Sequence, residues 1–177
     1  MKVFFKLILI LSLTLSFGCT LHIKPEKFDI NHDEIQNFKS DTPIKVLVPE
    51  NAEKEYLIEF TKPERTHGNV YVDLNEMYKN AKELIEQEIV GHKVPLSPDA
   101  EKYLKFTITE IQWEVWAGGF SIGSYLEFDI ETKDGYKEHH KVQDGSSVDV
   151  SRAVGGTVSR AVEKIFQDKE VLSYIEK

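Results

Sequence analysis

Tyr103-Leu104-Lys105-Phe106-Thr107-Ile108-Thr109-Glu110-Ile111-Gln112-Trp113-Glu114-Val115-Trp116 decides the fold. Leu104, Phe106 and Ile108 alternate with Lys105, Thr107 and Thr109, the two-residue period of a strand with one apolar face. Beyond Thr109 the phase slips, and Ile111, Trp113 and Val115 become the apolar set. A slip of one residue turns side chains to the opposite face, so a β-bulge near Thr109-Glu110 is predicted. Ala117-Gly118-Gly119-Phe120 then turns the chain. Leu126, Phe128 and Ile130 alternate with Glu127, Asp129 and Glu131, Asp134-Gly135 is a two-residue hairpin signal, and Tyr136 to Val142 returns. The result is a three-stranded antiparallel meander with one face toward water and the other toward helices.

Working outward, Leu74, Met77, Ala81, Leu84 and Ile85 repeat at helical spacing with polar residues opposite. Asp73 and Glu76 resemble a capping box at the start of this helix, and Gly91 suits its end. Before it, Ile44 to Val48 reads as a strand closed by Pro49 and Tyr56 to Phe60 as a second, while 62–69, with Pro63 and Gly68, reads as a loop. After the meander, Val150, Val154, Val158, Ala161, Val162, Ile165 and Phe166 predict a second helix. Gly155-Gly156 inside it costs about 1–2 kcal/mol relative to alanines, so close approach of helix to sheet is the expected reason. Asp168 caps a short closing helix with Val171, Leu172 and Ile175. The order predicts an α+β two-layer sandwich, a mainly antiparallel sheet with two main helices packed on one face.

Cys19 is the only cysteine in the 177 residues. Lys2 and Lys6 precede an apolar run, Leu7 to Phe17, too short for a bilayer core that needs roughly 20 residues, and the run reads as a signal peptide over 1–18. Gly18-Cys19 resembles the lipobox of bacterial lipoproteins, although Ser16 stands where that pattern has Leu. The resemblance implies diacylation of the Cys19 thiol, cleavage before it, and, with Thr20 rather than Asp next, export to the outer membrane facing the periplasm. Ser16-x-Gly18 also suits the ordinary signal peptidase, which would leave an unpaired Cys. Residues 19–42 read as the lipidated Cys and a polar tether in which Phe28, Ile30, Ile35 and Phe38 can dock locally, and 43–177 as one domain. Removing Lys2 and Lys6 from 22 basic residues leaves 20 against 30 acidic ones, a charge near −10. Such a body is repelled by phosphate backbones, so nucleic acid is not expected as a partner, and contact with the membrane falls to acyl chains on Cys19.

From about Tyr103 onward the chain resembles the YajG-type family of small proteobacterial lipoproteins. The resemblance rests on the Gly118 turn into an acidic strand, the Asp134-Gly135 hairpin, the Ala153 to Phe166 helix and the closing Asp168-x-x-Val171-x-x-Tyr174-Ile175. It implies an envelope address rather than an activity. No catalytic residue, metal or cofactor is expected. His139 and His140 are strand neighbours that point to opposite faces, and the pair reads as a solvated strand end. His22, His32, His67 and His92 are scattered, and Glu127, Asp129 and Glu131 read as a wet sheet face rather than a calcium loop. Two classes stay open: a noncatalytic accessory or interaction module, and an envelope enzyme or small-ligand binder whose site is assembled from distant residues. Trp113, Trp116 and Phe120, at the end of the long strand, mark the expected surface for an envelope protein partner.

Overall fold

The computed structural model describes residues 19–50, 56–60, 68–116 and 121–177. The signal-peptide reading of 1–18 and the turn at 117–120 lie outside them. Seven strands are present among the described residues: β1 Cys19–Ile23, β2 Ile44–Leu47, β3 Tyr56–Phe60, β4 Gly68–Val72, β5 Lys102–Trp116, β6 Ser121–Thr132 and β7 Lys137–Ser146. They are joined by three α-helices, α1 Leu74–Gly91, α2 Val150–Gln167 and α3 Lys169–Glu176, and a 3-10 turn at His32–Glu34. The sheet order is β1-β4-β3-β5-β6-β7, with β2 also on β5. This is the expected α+β class, helices packed on a sheet.

The meander β5-β6-β7 is antiparallel as expected, with the register shift between Ile108 and Glu110. Leu104, Phe106 and Ile111 are fully buried on either side of the shift, so the bulge keeps both halves of β5 facing the helices. The bulge also leaves backbone groups without ladder partners, and α1 supplies one. The Ile108 N–H donates to the Tyr78 hydroxyl at 3.0 Å, and that hydroxyl lies 3.5 Å from the Ile108 carbonyl. Burial raises the Tyr78 hydroxyl pKa, more than the bond to Ile108 lowers it.

Three pairings are parallel: β1 with β4, β2 with β5, and β3 with β5. Both β2 and β3 lie on β5, beside its Lys102 to Lys105 end and its Gln112 to Trp113 end. β4 corrects the reading of 62–69 as a loop, since a strand starts at Gly68. Its short run was masked by Gly68 and by the cap that follows it.

The caps hold with two changes. Asp73 accepts the Glu76 N–H, but the Asp73 N–H donates to the Ile23 carbonyl, so the reciprocal half of the capping box is replaced by a contact with β1. α1 runs through Gly91, and Lys93, with φ of 64°, carries the left-handed conformation that ends the turn. Asp149 and Asp168 accept amides at the starts of α2 and α3.

The reading of 20–42 as a tether is corrected. Ile23, Ile30 and Phe38 are buried, and the segment starts as β1 and then lies against both helices. Its apolar residues follow neither strand nor helix period because after β1 their partners are two helices rather than a ladder.

Gly155-Gly156 does permit close approach, but not chiefly to the sheet. A Cβ at Gly155 would overlap the Glu26 backbone, and one at Gly156 would overlap the Asp144 carboxylate of β7. Backbone cannot yield as a carboxylate can. Gly155→Ala should therefore lower stability by about 1–3 kcal/mol in urea unfolding, whereas Gly156→Ala should be within about 1 kcal/mol of wild type, helix propensity offsetting the displaced Asp144. Equal effects would mean that the Glu26 backbone is not fixed there. Tyr78→Phe, which strips the Ile108 amide of its partner, should cost about 1–3 kcal/mol in the same measurement.

Candidate functional site

The polar side chains that converge most closely lie where residues 24–38 run along α1 and α2. On the α2 side the Ser151 hydroxyl donates to the Lys24 carbonyl, the Glu26 N–H to the Ser151 carbonyl at 3.4 Å, and the Ser159 hydroxyl to the Phe28 carbonyl at 2.9 Å. The Asn31 N–H donates to Glu163 Oε1 at 2.6 Å, and Arg160 holds the other Glu163 oxygen at 2.8 Å. On the α1 side Lys24 pairs with Glu76, Lys27 pairs with Glu83 at 2.8 Å, and the Asn80 amide donates to the Pro25 carbonyl at 3.5 Å.

The path ends at Glu88, whose side chain is only 4% exposed. His32 Nδ1 donates to Glu88 Oε2 and His92 Nε2 to Glu88 Oε1, both at 2.9 Å. The Phe38 N–H donates to His92 Nδ1 at 3.4 Å, on the side of the ring away from Glu88. Phe38 also stacks on the His92 ring, with centroids 4.1 Å apart. A cavity of about 540 Å³ opens beside these groups, lined also by Asp29, Asp33, Asn37 and Gln87. Both Glu88 oxygens and both His92 nitrogens are engaged within the chain. The cluster clips the N-terminal segment to α1. Its members are 56 and 4 residues apart, and only the Glu88, His92 spacing at a helix end is visible without the fold.

The other face of the meander is a ladder of paired charges. Lys137 and His139 each lie 2.8 Å from Asp129, Lys141 lies 2.7 Å from Glu127, and Lys105 lies 3.3 Å from Glu131. These partners hold the Glu127 and Asp129 carboxyls below the usual range. Among the described residues no group of three or more His, Cys, Asp or Glu side chains could hold a metal ion.

His139 and His140 do point to opposite faces, but the reading of both as solvated is corrected for His140. Its side chain is 11% exposed, tilted on Phe128 at 5.3 Å, and its buried Nε2 has no hydrogen-bond partner, with Asp168 Oδ2 3.5 Å away. The start of α3 covers that end of β7, and Tyr136 already donates to Asp168 at 2.7 Å.

Trp113 is partly buried and packs against the core. Trp116 is placed by its backbone as the last residue of β5, opposite Ser121, while its side chain and Phe120 lie outside the described residues. Cys19 is likewise placed by its backbone, as the first residue of β1. The three aromatic positions therefore do not form one described surface.

No family model matches the chain, and no curated protein matches its sequence. Among solved structures the fold is similar to the crystal structure of a Xanthomonas campestris protein with the family model DUF330. The TM-score is 0.52 at 10% identity, over 87% of this chain and 94% of that one. At that identity the likeness is one of fold.

The two neighbouring histidines should titrate in opposite directions from the ordinary value of 6.5. The Asp129 hydrogen bond raises His139, and burial lowers His140. A raised folded value means that His139 adds stability below the ordinary value and loses it as pH rises through the folded one. A lowered value means that His140 removes stability as pH falls from the ordinary value through the folded one. Imidazole proton NMR should show the His139 midpoint above the His140 midpoint, and Asp129→Asn should lower only the former. The reverse order would contradict the burial of His140.

Proposed function

We propose that this chain is an envelope lipoprotein, anchored by acyl chains on Cys19 and acting as a noncatalytic accessory or interaction module. The observation that carries the reading is the Gly18-Cys19 pair at the end of a short apolar run. The sequence before it has the charged and apolar parts of a signal peptide, and no helix among the described residues is long and apolar enough to cross a membrane.

Two acyl chains suffice for such an anchor, each buried methylene contributing about 0.8 kcal/mol. Thr20 after the Cys favours the outer membrane, facing the periplasm, and the YajG-type resemblance is in keeping with that address. The accessory role is supported by how the ionisable groups are spent. Glu88, Glu127, Asp129 and Glu163 are committed to partners within the chain, an arrangement that suits a rigid body better than general acid or base work.

Mass spectrometry of the mature protein should find a diacylglyceryl-modified Cys19 at the N-terminus, and Cys19→Ala should move the protein from the membrane to the soluble fraction. An unmodified N-terminal Cys19 would remove the anchor.

A further inference from the structure

We propose that the cavity beside Glu88 is a binding site for a small aliphatic ammonium ion, with the Glu88 carboxylate as its counter-charge. The site is independent of the anchor at Cys19, because residues 29–37 and the second half of α1 build it.

Glu88 differs from the other carboxylates around residues 24–38. Glu76 has Lys24, Glu83 has Lys27 and Glu163 has Arg160. Among the described residues Glu88 pairs with no lysine or arginine, only with His32 and His92, and it is more buried than Glu76 or Glu83. A carboxylate taken out of water is costly unless a cation offsets its charge, and here the permanent cation is missing. An ionised carboxylate offers about four acceptor positions, and the two histidines fill one on each oxygen. Of these two donors His92 is fixed, held between Glu88 and the Phe38 ring and amide. His32 is not, since its side chain is 71% exposed on the 3-10 turn. That ring swings into water to leave Glu88 Oε2 open to the cavity.

Size and lining suit a short amine. The cavity of about 540 Å³ is within the range of small-ligand sites. Ile35 and Leu84 offer apolar wall to a methylene chain, while Asp29 and Asp33 add negative charge. No lysine or arginine is among the described residues that line it. The whole chain, at formal charge −8, draws cations toward it and repels anions. An ammonium group on Oε2 makes a charge-assisted hydrogen bond, about twice as strong as a neutral one. Such binding asks for no proton transfer, in keeping with a noncatalytic body.

The test uses the full-length protein in nonionic detergent micelles at physiological ionic strength, titrated with putrescine and followed by calorimetry and imidazole proton NMR. Putrescine should bind saturably, and butanediol, its uncharged counterpart, should not. The ring protons of His32 and His92 should shift with that saturation, while those of His139 on the far face of the sheet stay in place. Glu88→Gln should weaken putrescine by about tenfold or more, the loss expected of a hydrogen bond to a charged group. Asp33 is exposed, so Asp33→Asn carries the test should Glu88→Gln fold poorly, with a loss of about twofold to fivefold. Wild-type affinity in a folded Glu88→Gln, or in Asp33→Asn where Glu88→Gln does not fold, would mean diffuse attraction to an acidic surface and overturn the site. Ring protons of His32 and His92 that stay still, or butanediol binding as tightly as putrescine, would overturn it equally.

Discussion

An extended chain repeats every second residue at about 6.6 Å and a helix every fourth at about 6 Å, and the layering of this protein depends on that near match. Lys24, Glu26 and Phe28 present themselves at the first spacing, and Ser151, Gly155 and Ser159 meet them at the second. Two hydroxyls cap carbonyls, and the missing side chain between them admits the Glu26 backbone. Glu163, four residues further on, takes the Asn31 amide. α1 engages the other flank through Glu76, Asn80, Glu83 and Glu88. Ile23, Ile30 and Phe38 are buried as a consequence, and a polar stretch of sequence becomes part of the core.

β5 serves two neighbours in turn, β2 early and β3 late, with the bulge between them. Extra backbone at that point would leave a part-buried amide unpaired were it not for the Tyr78 hydroxyl. The inserted residue thus re-aims the strand without turning its apolar set outward. It also carries the strand on to Trp116.

Charge is sorted by surface. The water-facing side of the meander neutralises itself through Lys105, Lys137, His139 and Lys141 against three carboxylates, which keeps an exposed face wet and the outer edge strand β7 charged.

Local periodicity and caps were enough to read the meander, its bulge, the Asp134-Gly135 turn, both main helices and the Asp168 cap from the sequence. Each depends on residues within a few positions of one another, and Gly135, with φ of 94°, occupies the turn for that reason. Parallel pairings, the placement of β1 and β4, the clip at Glu88 and the inward turn of His140 were decided by tertiary structure alone. Their partners are tens of residues distant, as with His32 and Glu88, so no local period records them. The pair Gly155-Gly156 shows the boundary: sequence alone pointed to a close approach, but only the fold revealed that Glu26 makes it, because a glycine marks the space left open and not the group that fills it.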